Sequence, residues 1–366
     1  MGVLGGGFGV AFEWHKHPNS LVEAVCDIRS DRRKRLKQAF ECDKSYQTLD
    51  QMLQDKSIDA VAVFSGAPDH VRHSVAALRA GKHVFCAVPA AMTLEECEEL
   101  LEAVEETGLT YMMAETSYYR QSAISARRFF KEGKFGNIYY TESEYHHAGL
   151  EDLFFNNGER TWRYGFPPMH YPTHCTSLLT GITGERLVSV SCIGWGNDSP
   201  MLKDNTYGNP FWNETALFKT DRGNAFRVAV FWYGAHKGTE RAQWYGDKMS
   251  FFMEHPNGLG AVIVRAGDIE EAEDGGSVRQ GATLEPYDQP QYWQTDMIPE
   301  ALRHGTGHGG AHVFLTHEFV DALINERCPA VDIYEALAYT IPGIIAHKSA
   351  LKGGEQMRIP RFDPKH

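Results

Sequence analysis

Short apolar runs separated by polar, helix-like stretches set the rhythm of the first third of the chain. Met1–Leu4 leads into the turn Gly5-Gly6-Gly7-Phe8-Gly9, and Leu21 to Asp27 is an apolar run ending on an acid, the form of a buried parallel strand. Ala60–Phe64, His83–Cys86 and Tyr111–Ala114 repeat the apolar pattern. Between them, Arg32–Phe40, Leu49–Gln54, Asp69–Arg79 and a stretch opened by Thr93 and closed by Gly108 are patterned as helices. After Thr93 come Glu95, Glu96, Glu98 and Glu99, acids placed where the positive end of a helix dipole favours them. This βαβ alternation predicts one domain over residues 1–119.

Beyond Arg120 the pattern changes. A short helix, Ile124–Lys131, precedes segments rich in β-branched and aromatic residues: Ile138–Tyr145, Leu187–Ile193, Glu214–Lys219, Ala225–Tyr233 and Lys248–Glu254. They predict an open, mainly antiparallel sheet in an α+β domain over residues 120–366. The acidic, glycine-rich stretch from Gly267 to Gln289 reads as an exposed loop or lid, and two helices, about Ala311–Asn325 and Asp332–Lys352, close the chain, the second bent at Pro342.

A turn that cradles phosphate needs glycine where the chain turns tightly and where backbone must approach a pyrophosphate, and it must feed a helix N-terminus. Gly5 and Gly7 meet those needs, with Val10 where the third glycine of the strict motif would stand. Asp27, about twenty residues on at the end of the second predicted strand, can accept hydrogen bonds from ribose hydroxyls. The first domain is therefore expected to be a Rossmann domain that binds a dinucleotide. A carboxylate at that position favours NAD, because it repels a 2′-phosphate; Arg29, Arg32 and Arg33 keep NADP as the alternative.

The chain of 366 residues has a formal net charge of −12, and its one basic run, Arg29 to Lys37, is broken by Ser30, Asp31 and Leu36. That argues against a nucleic-acid partner, which requires clustered cations. No apolar run approaches the length of a membrane span. Seven cysteines without a CxxC pair fit reduced thiols and a cytoplasmic location. The short first strand leaves open an export signal upstream of Met1.

Titratable and polar residues are densest between Glu115 and His174, where Tyr145, His146, His147, Trp162, Arg163, His170, Tyr171 and His174 gather. Tyr145 and His147 are two apart on a predicted strand and share a face, while Tyr171 and His174 are three apart and meet on a turn or helix start. Tyrosine and histidine can move protons of sugar hydroxyls or carbon acids, and an arginine can hold their oxygens. A second group, His304, His308, His312 and His317, has near-helical spacing. The glycines among its members and the absence of Cys or acidic ligands at zinc spacing argue against a metal site.

These residues resemble the Gfo/Idh/MocA family of nicotinamide-dependent sugar and inositol enzymes over nearly the whole chain. The resemblance lies in Gly5-Gly-Gly-Phe-Gly9, Asp27, Ile58–Val63, Ala80-Gly-Lys-His-Val84 and Pro89. Dehydrogenases of the family carry Glu-Lys-Pro where this chain has Ala87-Val88-Pro89, and they carry an Asp of the second catalytic motif that is absent here, although His174 matches that motif's histidine. Both departures resemble the NAD-dependent glycoside hydrolases of the α-N-acetylgalactosaminidase type. The specific matches are Val88–Cys97, Met112-Met-Ala-Glu115, Tyr145-His-His147, Trp162-Arg163, Tyr171-Pro-Thr-His174 and Gly307-His-Gly-Gly310. Ala87 stands where that branch usually has Glu.

The resemblance implies that Tyr145, Arg163, Tyr171 and His174 line a carbohydrate pocket. Gly5, Gly7, Phe8, Gly9, Asp27, Val88, Pro89 and Glu115 would hold NAD, and Tyr292 would match, at a different spacing, a family tyrosine upstream of the His-Gly-Gly block. Family members are commonly dimers or tetramers built through the open sheet. The expected reaction is glycoside hydrolysis through transient oxidation at C3 and elimination across C1–C2. Tyr145 and His147 would act on the C2 and C3 protons, with His174 and Tyr171 orienting ring hydroxyls. A net NAD(P)-dependent sugar or polyol dehydrogenase is the alternative, and a non-catalytic sensor of nicotinamide or sugar is a third class.

Overall fold

The computed structural model describes residues 1–147, 149–196, 198–236, 238–272, 275–279 and 281–364. Its first sheet contains β1 (Gly2–Leu4), β2 (Ala24–Cys26), β3 (Lys44–Tyr46), β4 (Ala60–Val63), β5 (His83–Cys86) and β6 (Tyr111–Met113). All are parallel, in the order β3-β2-β1-β4-β5-β6. The direction of winding reverses between β1 and β4, so a crevice opens at their carboxyl ends, where doubly wound sheets bind ligands. Central strands are wholly buried, which is why they read as continuous apolar runs. The strand missed in the sequence, β3, is an edge strand of Lys-Ser-Tyr with two exposed residues, and so lacks the apolar signature.

The intervening helices are α1 (Ser30–Phe40), α2 (Leu49–Leu53), α3 (His70–Arg79) and α4 (Leu94–Thr107). Thr93 caps α4 by accepting the Glu96 N–H, and Gly108 ends it in the left-handed conformation. α5 (Gln121–Lys131) leads into the second half.

The second sheet begins with β7 (Ile138–His146); a two-residue hairpin, β8 (Phe155–Asn156) and β9 (Glu159–Arg160), and α6 (Thr173–Thr183) follow. Next come β10 (Leu187–Trp195), β11 (Asn213–Thr220), β12 (Ala225–Phe231), β13 (Thr239–Gly246), β14 (Met249–Phe252) and β15 (Val262–Arg265). The last strands are β16 (Ile269–Glu271), β17 (Ser277–Arg279), β18 (Thr283–Pro286) and β19 (Met357–Arg358). Nine of them form a sheet in the order β18-β15-β14-β13-β7-β12-β11-β10-β19, antiparallel throughout except that β7 runs parallel to β12.

One expectation needs correction. The stretch 267–289 is not a plain loop, because it holds the β16–β17 hairpin and edge strand β18, whose outward-facing residues gave no alternation to read. α6 and β13 were not anticipated, although β13 pairs with the whole length of β7. The last two helices, α7 (Gly307–Ile324) and α8 (Ile333–Leu351), pack on both halves of the molecule. Phe319 of α7 lies against Phe85 and Trp14, with ring centroids 5.4 and 6.0 Å apart, so a C-terminal helix covers a face of the first sheet.

Candidate functional site

The glycine turn is fixed by close packing. Gly5 has φ +98°, and a Cβ there would lie 2.3 Å from the Phe64 carbonyl oxygen. A Cβ on Gly9 would meet the Phe64 ring at 2.9 Å, whereas one on Gly7 would meet nothing within 4 Å. Two glycines are therefore required by the protein's own packing, and Gly7 is the one that borders open space. Gly6, passed over in the sequence, is also constrained, with Arg32 Cβ 2.7 Å from its missing Cβ. Its N–H donates to Asp27 Oδ2 at 2.7 Å, while Asp27 Oδ1 accepts from the Arg29 N–H at 2.8 Å. Each carboxylate oxygen keeps a lone pair for a further donor, as ribose hydroxyls require. Phe8, 39% exposed, stands on the turn with its ring edge-on to His308 and His312.

Val88 and Pro89 follow β5 and are joined by a cis peptide bond. The Ala90 N–H donates to Thr340 Oγ1 of α8 at 3.3 Å, and His70 Nδ1 bonds the Pro89 carbonyl oxygen at 2.8 Å, so the segment is held from both sides. Glu115 lies two residues beyond β6, at the head of the turn that follows, and is completely buried. Its Oε1 accepts from the Ser117 N–H and from His174 Nδ1, both at 2.8 Å, and its Oε2 has no partner among the described residues. An orphaned buried carboxylate oxygen beside the crevice, together with the open face at Gly7 and the free lone pairs of Asp27, fits a dinucleotide.

His174 lies in the first turn of α6. Because its Nδ1 faces a carboxylate, that nitrogen carries the proton in the neutral imidazole, and Nε2 then presents a lone pair. Burial alone would push the imidazole's pKa down; the adjoining Glu115 carboxylate, with a contribution from Glu240, outweighs it and holds the value above the ordinary one. Around His174 stand Tyr145, with ring centroid at 4.5 Å, and Tyr171, stacked nearly parallel at 5.9 Å. His147, just past the end of β7, is 6.0 Å from Tyr145. Trp232, fully buried, closes the group edge-on to Tyr145, His147 and Tyr171. Burial, reinforced by Tyr171 and by the Glu240 and Glu115 carboxylates, raises the Tyr145 phenol well above its usual range. Tyr145 is therefore a proton donor at neutral pH.

Arg163 stacks over Trp162, with its guanidinium carbon 4.1 Å from the ring centroid, and its Nε is buried without a partner among the described residues. The Trp162 ring in turn lies where a Cβ on Gly66 would be, 2.8 Å from Cδ1, so this arm rests on the loop after β4. Tyr292 joins none of these rings. Its hydroxyl is 3.2 Å from Ser125 Oγ of α5, and its ring lies under Arg128.

Several residues at the centre carried no signal in the sequence. Glu240 on β13 is paired in register with Tyr145 on β7 and so projects from the same face. Arg120 grips it bidentately at 2.6 and 2.7 Å, and Ser117 Oγ donates to Glu240 Oε1 at 2.5 Å while lying 3.4 Å from His174 Nδ1. The Arg120 guanidinium overcomes burial and holds the Glu240 carboxyl far below its usual range. Reading β13 as a strand would have placed Glu240 there. His308, Gly309 and Gly310 all have positive φ at the start of α7, and His308 Nδ1 is 2.8 Å from His312 Nε2. The other histidines of that group have separate partners, His304 bonding Glu13 and His317 bonding His17. Among the described residues no set of three His, Cys, Asp or Glu is placed to hold a metal, and no helix is long and apolar enough to cross a membrane.

A parallel sheet in this strand order and a glycine turn with an acceptor at the second strand's end define an NAD-binding Rossmann domain, here joined to an open, mainly antiparallel sheet. Residues 1–115 match the family model described as Oxidoreductase family, NAD-binding Rossmann fold. Residues 268–365 match a second model, Glycosyl hydrolase 109, C-terminal domain, so a Gfo/Idh/MocA-type dinucleotide domain and a glycosyl hydrolase 109-type C-terminal domain occur in one chain. Among curated relatives, an "Alpha-N-acetylgalactosaminidase" of Tannerella forsythia is 25% identical over 99% of this chain and 86% of its own length. A "Glycosyl hydrolase family 109 protein" of Solibacter usitatus is 24% identical over 93% of this chain and 82% of its own. Among solved structures, a levoglucosan dehydrogenase in complex with NADH superposes with a TM-score of 0.80 at 18% identity, covering 99% of both chains. Scyllo-inositol dehydrogenase from Lactobacillus casei, with bound NAD(H) and scyllo-inositol, gives 0.74 at 18% identity over 98% of both. The last two likenesses establish the fold.

Proposed function

We propose that the chain hydrolyses glycosides by transient oxidation of the sugar at C3 followed by elimination across C1–C2, with N-acetyl-α-galactosaminides as the first substrates to try. The observation that carries this reading is the state of the two carboxylates nearest His174, Glu115 and Glu240. An ordinary glycosidase needs one carboxylic acid and one carboxylate flanking the bond. Here Glu115 is engaged with His174, and Glu240 is ionised against Arg120. Neither is a proton donor, and the groups left for proton movement are imidazoles and phenols.

NAD, held by the Gly5–Gly9 turn, Asp27, the Val88–Pro89 segment and Glu115, supplies a reversible hydride acceptor when bound. His174 Nε2, with Nδ1 fixed by Glu115, takes the proton of the C3 hydroxyl. His147 takes the C2 proton once that carbon has been acidified. Tyr145, a phenol in this setting, hydrogen-bonds the ring oxygens and returns a proton, which moves it from base to donor relative to the sequence expectation. Tyr171 and Arg163 orient hydroxyls, and water adds to C1 after the leaving group departs. Each positioned acid or base contributes about 10²- to 10⁴-fold. The seven unpaired cysteines support a cytoplasmic setting, and the open sheet face bearing exposed Ile193, Trp195 and Leu217 supports self-association.

The test is a panel of aryl glycosides with and without added NAD⁺, following aglycone and NADH together. Aglycone release without net NADH supports hydrolysis. Stoichiometric NADH without aglycone release identifies a net sugar dehydrogenase instead.

A further inference from the structure

Glu214 on β11 lies in the same cross-strand row as the site. It pairs with Val230 on β12, Val230 with Tyr145 on β7, and Tyr145 with Glu240 on β13, so all four side chains project from one face of the second sheet. Glu240, through Ser117 and Arg120, supports one flank of the histidine–tyrosine cluster. Glu214, wholly buried, stands on the other flank and takes no part in the proton transfers assigned to His174, His147 and Tyr145.

Both of its oxygens are committed. Oε1 accepts from His347 Nδ1 of α8 at 2.8 Å, and Oε2 accepts from the Met169 N–H at 2.7 Å. Met169 belongs to the tight turn Pro168–His170, which runs directly into Tyr171 and then into α6 with His174. α8 packs against the same turn. A Cβ on Gly343 would lie 2.0 Å from the Met169 carbonyl oxygen and 2.3 Å from Pro172 Cγ, and His170 sits edge-on to His347 with ring centroids 5.4 Å apart. Thr340, Gly343 and His347 fall on one face of α8, at i, i+3 and i+7, and Thr340 is the residue that holds the Ala90 N–H beyond Val88–Pro89. One helix face thus carries both the cofactor segment and the turn before His174. The two site residues that follow this turn depend on it unequally. His174 has its own anchor in the Glu115 carboxylate. Tyr171 is located by the backbone of the turn and by packing against Phe166, Trp232 and Tyr145, with ring centroids 5.1, 5.5 and 6.0 Å away.

We infer that Glu214 is a positioning residue for sugar recognition: by holding the Met169 amide, with His347 fixing its carboxylate, it sets where Tyr171 meets the ring hydroxyls. The inference rests on the proposed role of Tyr171 at a sugar; the hold of Glu214 on the turn does not depend on that role.

Three variants separate positioning from stability. Glu214→Leu removes the hold and strands two buried donors, the Met169 N–H and His347 Nδ1–H. It should raise KM for an aryl N-acetyl-α-galactosaminide about tenfold, as loss of about one hydrogen bond to the sugar entails, and change kcat by less than about threefold. Glu214→Gln keeps an acceptor for the Met169 N–H and offers its amide N–H to His347 Nδ1 once the ring proton sits on Nε2, so KM should stay within about twofold of wild type. Glu214→Leu/His347→Leu strands one donor instead of two, so Tm should recover part of the loss while KM stays raised. The double variant also serves if the single one does not fold. A glutamine variant as impaired as the leucine one, a wild-type KM in the leucine variants, or a fall in kcat matching the rise in KM overturns the inference and leaves the glycosidase reading intact. If the wild type turns over no glycoside, that reading falls, and hydrogen exchange across residues 166–176 then decides alone. Faster exchange there in the leucine variants but not in Glu214→Gln upholds Glu214 as the residue that positions the turn, and any other pattern overturns it.

Discussion

His174 donates from Nδ1 to the wholly buried Glu115 carboxylate two residues beyond β6, so a histidine on α6 of the second half is oriented by an acid of the first. Glu115→Gln removes the charge that raises His174. The acidic limb of the kcat/KM profile, where His174 loses its lone pair to a proton, should then move to lower pH, and kcat should fall about 10²-fold. His174→Ala should abolish most activity, and retention of it would remove His174 from the mechanism. The pair also links stability to pH. A histidine whose folded pKa is raised contributes stability that is fully present below its unfolded value and lost as pH rises through the folded one. The difference in Tm between wild type and His174→Ala should therefore narrow above neutral pH.

The Arg120–Glu240 pair is partly buried, and breaking it from one side leaves a charge without its partner. Arg120→Met and Glu240→Gln are each expected to cost about 1–3 kcal/mol in urea unfolding, less than for a fully buried pair because Arg120 keeps contact with solvent. The double variant Arg120→Met/Glu240→Gln should lose less than the sum of the two. Additive losses would show that the two side chains act independently.

Gly5→Ala and Gly7→Ala should behave oppositely. The first brings a Cβ to 2.3 Å from the Phe64 carbonyl in a left-handed conformation and should lower Tm sharply. The second meets no protein atom and should leave Tm unchanged while weakening NADH binding measured by fluorescence titration. Unaltered NADH affinity in Gly7→Ala would take the dinucleotide away from this turn.

Asp27 sets cofactor choice if it faces the ribose. Asp27→Ser removes the charge that repels a 2′-phosphate, with Arg32 3.9 Å away to receive it. The ratio of NADPH to NADH affinity should rise at least tenfold, and a constant ratio would assign discrimination elsewhere.

Periodicity made most of this fold readable. Buried parallel strands such as Ala60–Val63 announce themselves as apolar runs, and Thr93 and Gly108 mark a helix in plain chemistry. Edge strands such as β3 and β18 have little to bury and escaped notice. The histidine and tyrosine block was visible because its members lie close in sequence. Glu240 was not, because its partners Arg120 and Ser117 are 120 and 123 residues away and only the pairing of β13 with β7 brings them together. Tyr292 was matched through the resemblance, at a spacing that differs from the family's, and its hydroxyl lies 3.2 Å from Ser125 Oγ.

The cover that α7 provides for the first sheet has a consequence for biosynthesis. Phe12, Trp14 and Phe85 emerge from the ribosome long before His312 and Phe319, the residues that pack on them. For more than two hundred residues of translation the nascent N-terminal half carries an uncovered aromatic face, so it waits on the end of the chain to finish folding. A stop codon just before α7 would thus spoil the dinucleotide domain while sparing every residue of its glycine turn.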